Sequence, residues 1–263
     1  MVAEAQRIPV LMYHRVGTAH NEWESRYCIP PNQFTEHMHH LAARGMQPCS
    51  LADFFAWLGQ EKTLPEGSFL LTFDDGFLGV YEHAAEVLQD LDWPATVFLV
   101  SRLIGKHDQW CQSQNPSGDT YPLLAPEHIS AMRNMGFTFQ SHTRVHPDLT
   151  TLSDKHLADE LSGSRQDLEG LLGEKVNYLA YPYGRLNEHV LEATRAAGYE
   201  AAFSTQPGFN RRGVAPYRIR RLDVFGTDTA SMLARKIHFG SNDGSWQQTL
   251  RYYRGRVAEK LGI

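Results

Sequence analysis

Short runs of apolar residues alternate along this chain with segments whose apolar positions recur every three or four residues. The first run, "IPVLMY", is apolar throughout apart from Pro9, as a strand covered on both faces is, and it delivers His14 at its exit. "SFLLTF", "ATVFLV", "FTFQS", "VNYLA" and "YEAAFS" repeat that signature. Between them lie helical patterns. "PPNQFTEHMHHLAARG" sets Phe34, Met38 and Leu41 on one face and stops at Gly45, and "SLADFFAWL" takes Ser50 as its cap. "VYEHAAEVLQDL", "APEHISAMRNMG", "SDKHLADELSGSRQDLEGLLG" and "NEHVLEATRAAG" follow, with Ser153 and Asn187 as caps and Gly136 and Gly198 as stops. This alternation predicts an α/β fold, a parallel sheet with helices packed outside it. The number of strand-helix pairs suits a distorted (β/α) barrel better than an open sheet, and in such folds the strand exits gather catalytic groups.

Composition narrows the picture. With 263 residues the chain fits one barrel domain spanning 1–263, and 42% hydrophobic with 21% charged residues is an ordinary globular balance. A net charge of -5, from 25 Lys+Arg against 30 Asp+Glu, argues against a nucleic-acid partner. The basic stretch "NRRG" followed by "YRIRR" reads as a solvated face. No run approaches the ~20 apolar residues of a transmembrane span. The opening "MVAEAQRIPVLMYHRV" lacks a secretory pattern, so the expected location is cytoplasmic. Cys28, Cys49 and Cys111 are odd in number and have no metal-type spacing, which points to reduced structural thiols. The long polar stretch "GKHDQWCQSQNPSGDTYP" reads as an excursion over one face of the barrel, and "SNDGSWQQTLRYYRGRVAEKLGI" as a loop and a closing amphipathic helix.

Two strand exits carry chemistry. "TFDDG" places Asp74 and Asp75 after a buried strand and before a glycine that permits a tight turn. Successive side chains there point different ways, so one carboxylate can bind a cation while the other faces a substrate; a solvated turn is the alternative. "SHTRVH" separates His142 and His146 by three residues, a spacing that predicts both imidazoles on one side of a helical turn, sharing a metal ion. Two imidazoles and a carboxylate leave positions open for water and substrate, which is a catalytic pattern; zinc is the default, and cobalt, nickel and iron also suit imidazole. Such an ion brings the pKa of bound water toward ~7 and polarises a carbonyl, the chemistry of amide or ester hydrolysis.

Taken in order, "TFDDG", "SHTRVH" and "YPYG" resemble the motifs of the polysaccharide deacetylase family, the NodB homology domain of carbohydrate esterase family four, whose fold is a distorted (β/α) barrel. The resemblance implies a metal-dependent hydrolase that removes N-acetyl groups from an amino sugar or glycan as acetate. It implies Asp74 as general base, Asp75, His142 and His146 as metal ligands, and the backbone N–H of Tyr183 as an oxyanion donor. In many members an arginine precedes the third-motif proline to orient the base, but here Ala180 and Tyr181 precede Pro182. Arg221 in "RRLDV" either fills that role from another strand end or is a surface arginine; with Pro182 and Trp110 it is also a candidate for the substrate side. "PVLMYH" is similar to the subgroup that includes poly-N-acetylglucosamine deacetylases, in which the motif order is permuted. That likeness implies His14 as the general acid and leaves His238 of "KIHFG" structural.

Trp23, Trp110 and Phe77 are candidates for stacking on a sugar ring, although Phe77 reads more readily as core. A cytoplasmic location would favour a nucleotide- or lipid-linked precursor as substrate. The competing functions are another C–N hydrolase of the superfamily, deformylase- or allantoinase-like, and a non-catalytic carbohydrate-binding protein, which would have no use for Asp74.

Overall fold

The apolar runs form the strands the pattern predicts. The computed structural model describes residues 6–247, and the expected closing helix of the tail lies largely outside them. In chain order the strands are β1 (Val10–Tyr13), β2 (Arg15–Val16), β3 (Cys28–Ile29), β4 (Gln47–Pro48), β5 (Ser68–Phe73), β6 (Ala95–Leu99), β7 (Phe137–Ser141), β8 (Tyr178–Ala180), β9 (Ala201–Phe203) and β10 (Leu222–Asp223). The helices are α1 (Glu22–Ser25), α2 (Pro31–Ala42), α3 (Leu51–Leu58), α4 (Ala85–Asp90), α5 (Pro126–Arg133), α6 (Asp154–Leu172), α7 (Glu188–Ala196) and α8 (Ala230–Phe239). Ser50 caps α3 by accepting from Asp53 N and Asn187 caps α7 by accepting from Val190 N, as the sequence suggests. Ser153 occupies the cap position of α6, but its hydroxyl meets His156 Nδ1 instead of the backbone. The two-residue strands and α8 were not expected: a pair of residues has no period to read, and "ASMLARKIHF" lies beyond the last predicted strand.

All strands of the main sheet run parallel, in the order β10-β1-β5-β6-β7-β8-β9, with β4 added beside β5. The sheet curls strongly. Two strands separate β6 from β9, a distance of about 14 Å in a flat sheet, yet the rings of Phe98 and Phe203 meet at 5.1 Å. The ends are bridged by the run Ile219–Asp223, where Ile219 pairs with Phe203 of β9 and Leu222 with Leu11 of β1. Parallel strands thus form a curled half-barrel with helices around it.

Alternation along each strand sorts the side chains between two cores. Leu11, Tyr13, Leu71, Phe73, Val97 and Leu179 face outward and pack under α2, α4, α5, α6 and α7. Val10, Leu70, Phe98, Ala180, Phe203 and Ile219 face inward and meet α3. Continuing that inward parity by two-residue steps past the strand ends leads from Val10 to His14, from Leu70 to Asp74, from Ala180 to Pro182 and from Ile219 to Arg221 and Asp223. The site is assembled by this parity at the carboxyl ends of the strands.

Candidate active site

Asp74 leaves β5 with its carboxylate 3% exposed and meets Arg221, whose side chain is fully buried. The guanidinium reaches it in fork geometry, Nη1 to Oδ1 at 2.6 Å and Nη2 to Oδ2 at 2.8 Å, while Nε donates to Ser204 O at 3.0 Å. Each of the three guanidinium nitrogens donates a hydrogen bond. This corrects the surface reading of Arg221: the side chain is fully buried and stands against Asp74, which it reaches from a different strand end than Ala180 and Tyr181. Burial alone would raise the Asp74 carboxyl, but the charges of Arg221, His142 and His14 outweigh it and hold the pKa below the ordinary carboxylate value.

Asp75 turns the other way because its backbone is left-handed, at φ 72°. Its Oδ1 lies 3.4 Å from His142 Nε2 and 3.3 Å from His146 Nε2, and one ligand atom from each of the three residues falls within 4.8 Å of the others. All three are buried. The histidines do not sit on a helical turn, as their spacing suggests. They flank an irregular loop in which Thr143 and His146 adopt φ values of 69° and 61°, and Thr143 Oγ1 accepts from His146 N at 3.1 Å. With Asp75 and Tyr183 (φ 58°) these make four of the six non-glycine residues with positive φ among the described residues. Such conformations cost on the order of 1–3 kcal/mol each and persist only where the surroundings over-determine them.

The donor set fits a divalent cation. His142 Nδ1 is 2.7 Å from Ala180 O, so it carries the proton and leaves the Nε2 lone pair facing Asp75. Burial, reinforced by the neighbouring His142, brings the pKa of His146 down to about 3, which keeps it a neutral ligand. Burial acts the same way on His142 but is outweighed by Asp74 and Asp75, which raise it. Asp75, despite burial, is held low by the two imidazoles.

His14 exits β1 beside this group. Its Nδ1 is buried without a hydrogen-bond partner in the protein, its ring meets Tyr27 edge-on at 5.1 Å, and its charge lowers Asp74, Asp75 and Asp223. Asp223, which sequence reading passed over inside "RRLDV", is raised by burial against that influence and accepts from Asn242 Nδ2 at 2.6 Å. His238 is exposed on α8, in a depression shared with Gly45, Met46 and Gly67, before the start of β5 and so at the opposite end of the barrel. Tyr183 follows the buried Pro182 in a tight turn and stays 40% exposed. The ring of His146 lies between Trp110, stacked at 4.6 Å, and the edge of Tyr183, also at 4.6 Å. Phe77 packs in a small core with Val100, Leu103 and Leu123.

The long polar excursion that carries Trp110 is pinned by a residue no motif announces. Buried Glu24 accepts from Tyr121 Oη at 2.6 Å and Asn115 Nδ2 at 2.9 Å on one oxygen, and from Arg15 Nη2 at 2.7 Å and His20 N at 2.9 Å on the other. Its partners Asn115 and Tyr121 lie 91 and 97 residues away, so no local signal reveals them.

Comparison with known proteins places this geometry. YxkH of Bacillus subtilis is 28% identical over 219 residues, covering 83% of this chain and 71% of that protein. A poly-beta-1,6-N-acetyl-D-glucosamine N-deacetylase of Staphylococcus epidermidis is 25% identical over 210 residues, covering 75% of this chain and 68% of its own. Among solved structures, IcaB from Ammonifex degensii superposes with a TM-score of 0.70 at 27% identity, covering 83% of this chain and 91% of that one. A polysaccharide deacetylase from Bacillus cereus gives a TM-score of 0.74 at 27% identity, covering 89% and 69%. The polysaccharide deacetylase family model matches residues 61–202, a span that holds Asp74, Asp75, His142, His146 and Tyr183 and stops short of His14 and Arg221. With its paired aspartates, its two histidines and its curled parallel sheet matched together over more than half its length, the chain belongs to the polysaccharide deacetylase family.

Proposed function

We propose that this protein is a metal-dependent N-deacetylase that hydrolyses the acetamido group of an amino sugar in a glycan, giving acetate and a free amine. The observation that carries this reading is the convergence of Asp75, His142 and His146 beside an Asp74 held by Arg221. The name of the S. epidermidis relative supports an N-acetylated hexosamine as the substrate unit. Asp75, His142 and His146 would hold the ion, and two imidazole nitrogens with one carboxylate oxygen favour zinc, with cobalt, nickel and iron also compatible. When bound, such an ion supplies Lewis acidity and a water of lowered pKa.

The remaining work falls to side chains of known placement. Asp74 accepts the proton of the attacking water, and Arg221 keeps its carboxylate charged and turned for that purpose. The N–H of Tyr183, presented by a left-handed backbone, donates to the oxygen on which negative charge develops. His14, at the exit of β1, delivers a proton to the departing nitrogen. Trp110, Tyr183 and the 42% exposed Val145 offer an apolar rim against which the face of a sugar can rest.

The test is metal analysis of the purified protein together with acetate release from β-1,6- and β-1,4-linked N-acetylglucosamine oligomers, before and after chelation and on return of zinc or cobalt. About one ion per chain, with acetate release that disappears on chelation and returns with metal, supports the reading. An ion without acetate redirects the search to formamides and ureides, and the absence of both favours a carbohydrate-binding protein.

A further inference from the structure

The loop between the two histidines is held from behind by one face of α6. Arg144, midway along it, reaches Asp167 through Nε and Nη2, both at 2.9 Å, and Asp159 through Nη1 at 2.5 Å. Glu160, 8% exposed, accepts the backbone N–H groups of both Arg144, at 2.8 Å, and Val145, at 3.1 Å. Ser164 bonds Ser141, whose hydroxyl accepts from Thr143 N. Asp159, Gly163 and Asp167 follow one another at four-residue intervals, as do Glu160 and Ser164, so the contacts come from two adjacent rows on one helix face. Gly163 completes the groove: a Cβ there would lie 2.2 Å from Arg144 Cζ.

We propose that this face of α6, with Arg144 as its counterpart, is the positioning device that sets the spacing and aim of His142 and His146 and thereby the affinity of the site for its ion. None of these residues is itself a ligand. The two left-handed residues, Thr143 and His146, give the loop a shape it would not keep alone, and the clamp grips Arg144 and Val145 between them and Ser141 before them. This inference rests on the metal reading above and adds to it the part that makes the site stiff.

The experiment titrates the chelated 263-residue chain with zinc against a chromophoric chelator, and records the visible spectrum of the cobalt form. Arg144→Ala and Gly163→Ala should each bind zinc about 10–100-fold more weakly, the usual effect of losing support behind a metal ligand, with altered cobalt bands. Arg144→Lys should recover only part, because an ammonium lacks the planar fork that meets Asp159 and Asp167 together. Arg165→Ala is the control: it severs contacts of α6 to Glu169, Ala197 and Gly198, away from the loop, and should lower thermal stability while leaving zinc affinity unchanged. Zinc affinity in Arg144→Ala within about twofold of wild type, against the expected loss, or an equal loss in Arg165→Ala, overturns the proposal. If Arg144→Ala does not fold, Glu160→Gln and Asp167→Asn carry the same test with less disturbance. Failure of the wild type to bind zinc or cobalt overturns the metal reading and this one together, whereas wild-type binding with indifferent variants overturns this one alone.

Discussion

Replacing Arg221 by methionine isolates the ion pair on which the proposed base depends. The variant fills most of the guanidinium's space with apolar volume but leaves Asp74, 3% exposed, without its cation. Breaking a buried pair by removing one partner costs about 3–5 kcal/mol, because the remaining charge is uncompensated. At about 2–4 °C per kcal/mol for a chain of this size, that is a fall in Tm of about 6–20 °C. The pH dependence has a definite sign. In the wild type the Asp74 pKa is depressed, so its stabilisation is present above the unfolded carboxylate value and is lost as pH falls through the folded one. Without Arg221 burial is far less opposed and the pKa rises, so the deficit of Arg221→Met should be larger at pH 8 than at pH 5. Differential scanning calorimetry of the chelated protein reads both quantities. Asp74→Asn/Arg221→Met removes the stranded charge and should recover more than half of the loss. A deficit below about 2 °C, or a double variant no better than the single one, would refute the account of Asp74 as a carboxylate kept ionised by Arg221.

Three other outcomes follow from the same geometry. Asp74→Asn should retain the metal and lose turnover by about 10²-fold or more, while His142→Ala loses both; metal analysis beside an acetate assay separates the two, and equal metal loss would contradict the assignment. His14→Ala should leave metal content intact and slow acetate release by about 10²-fold or more, whereas His238→Ala, at the far end of the barrel, should be silent in the same assay. Glu24, whose pKa is lowered to about 2 because hydrogen bonds from Tyr121, His20 and Asn115 and the charge of Arg15 outweigh the effect of burial, stabilises the fold above pH 4.5, and that contribution is lost as pH falls from there toward 2. Acid unfolding of Glu24→Gln should therefore lack that part of the pH dependence, and an unchanged acid limb would count against the Glu24 network.

Much of this protein is determined by its sequence alone. Six buried strands and the helices between them follow from local apolar period and from caps such as Ser50 and Asn187, because burial on two faces or on one stripe imposes its pattern on neighbouring residues. "TFDDG" and "SHTRVH" were legible for the same reason: the donor types of one candidate metal site stand side by side at strand exits. What required the tertiary structure was everything joined across the barrel. Arg221 meets Asp74 from 147 residues away, and only closure of the sheet through Ile219–Asp223 brings it behind that carboxylate instead of onto the surface. The His142–His146 spacing is compatible with a helical turn, and the loop that replaces it depends on left-handed backbone at Thr143 and His146, gripped by α6. The likeness of "PVLMYH" singled out His14 over His238, but only the direction of β1 and the position of α8 put one at the carboxyl ends of the strands and the other at the opposite end. Local pattern records which surfaces a segment must bury, and a site built from the ends of several strands depends on which of those surfaces meet.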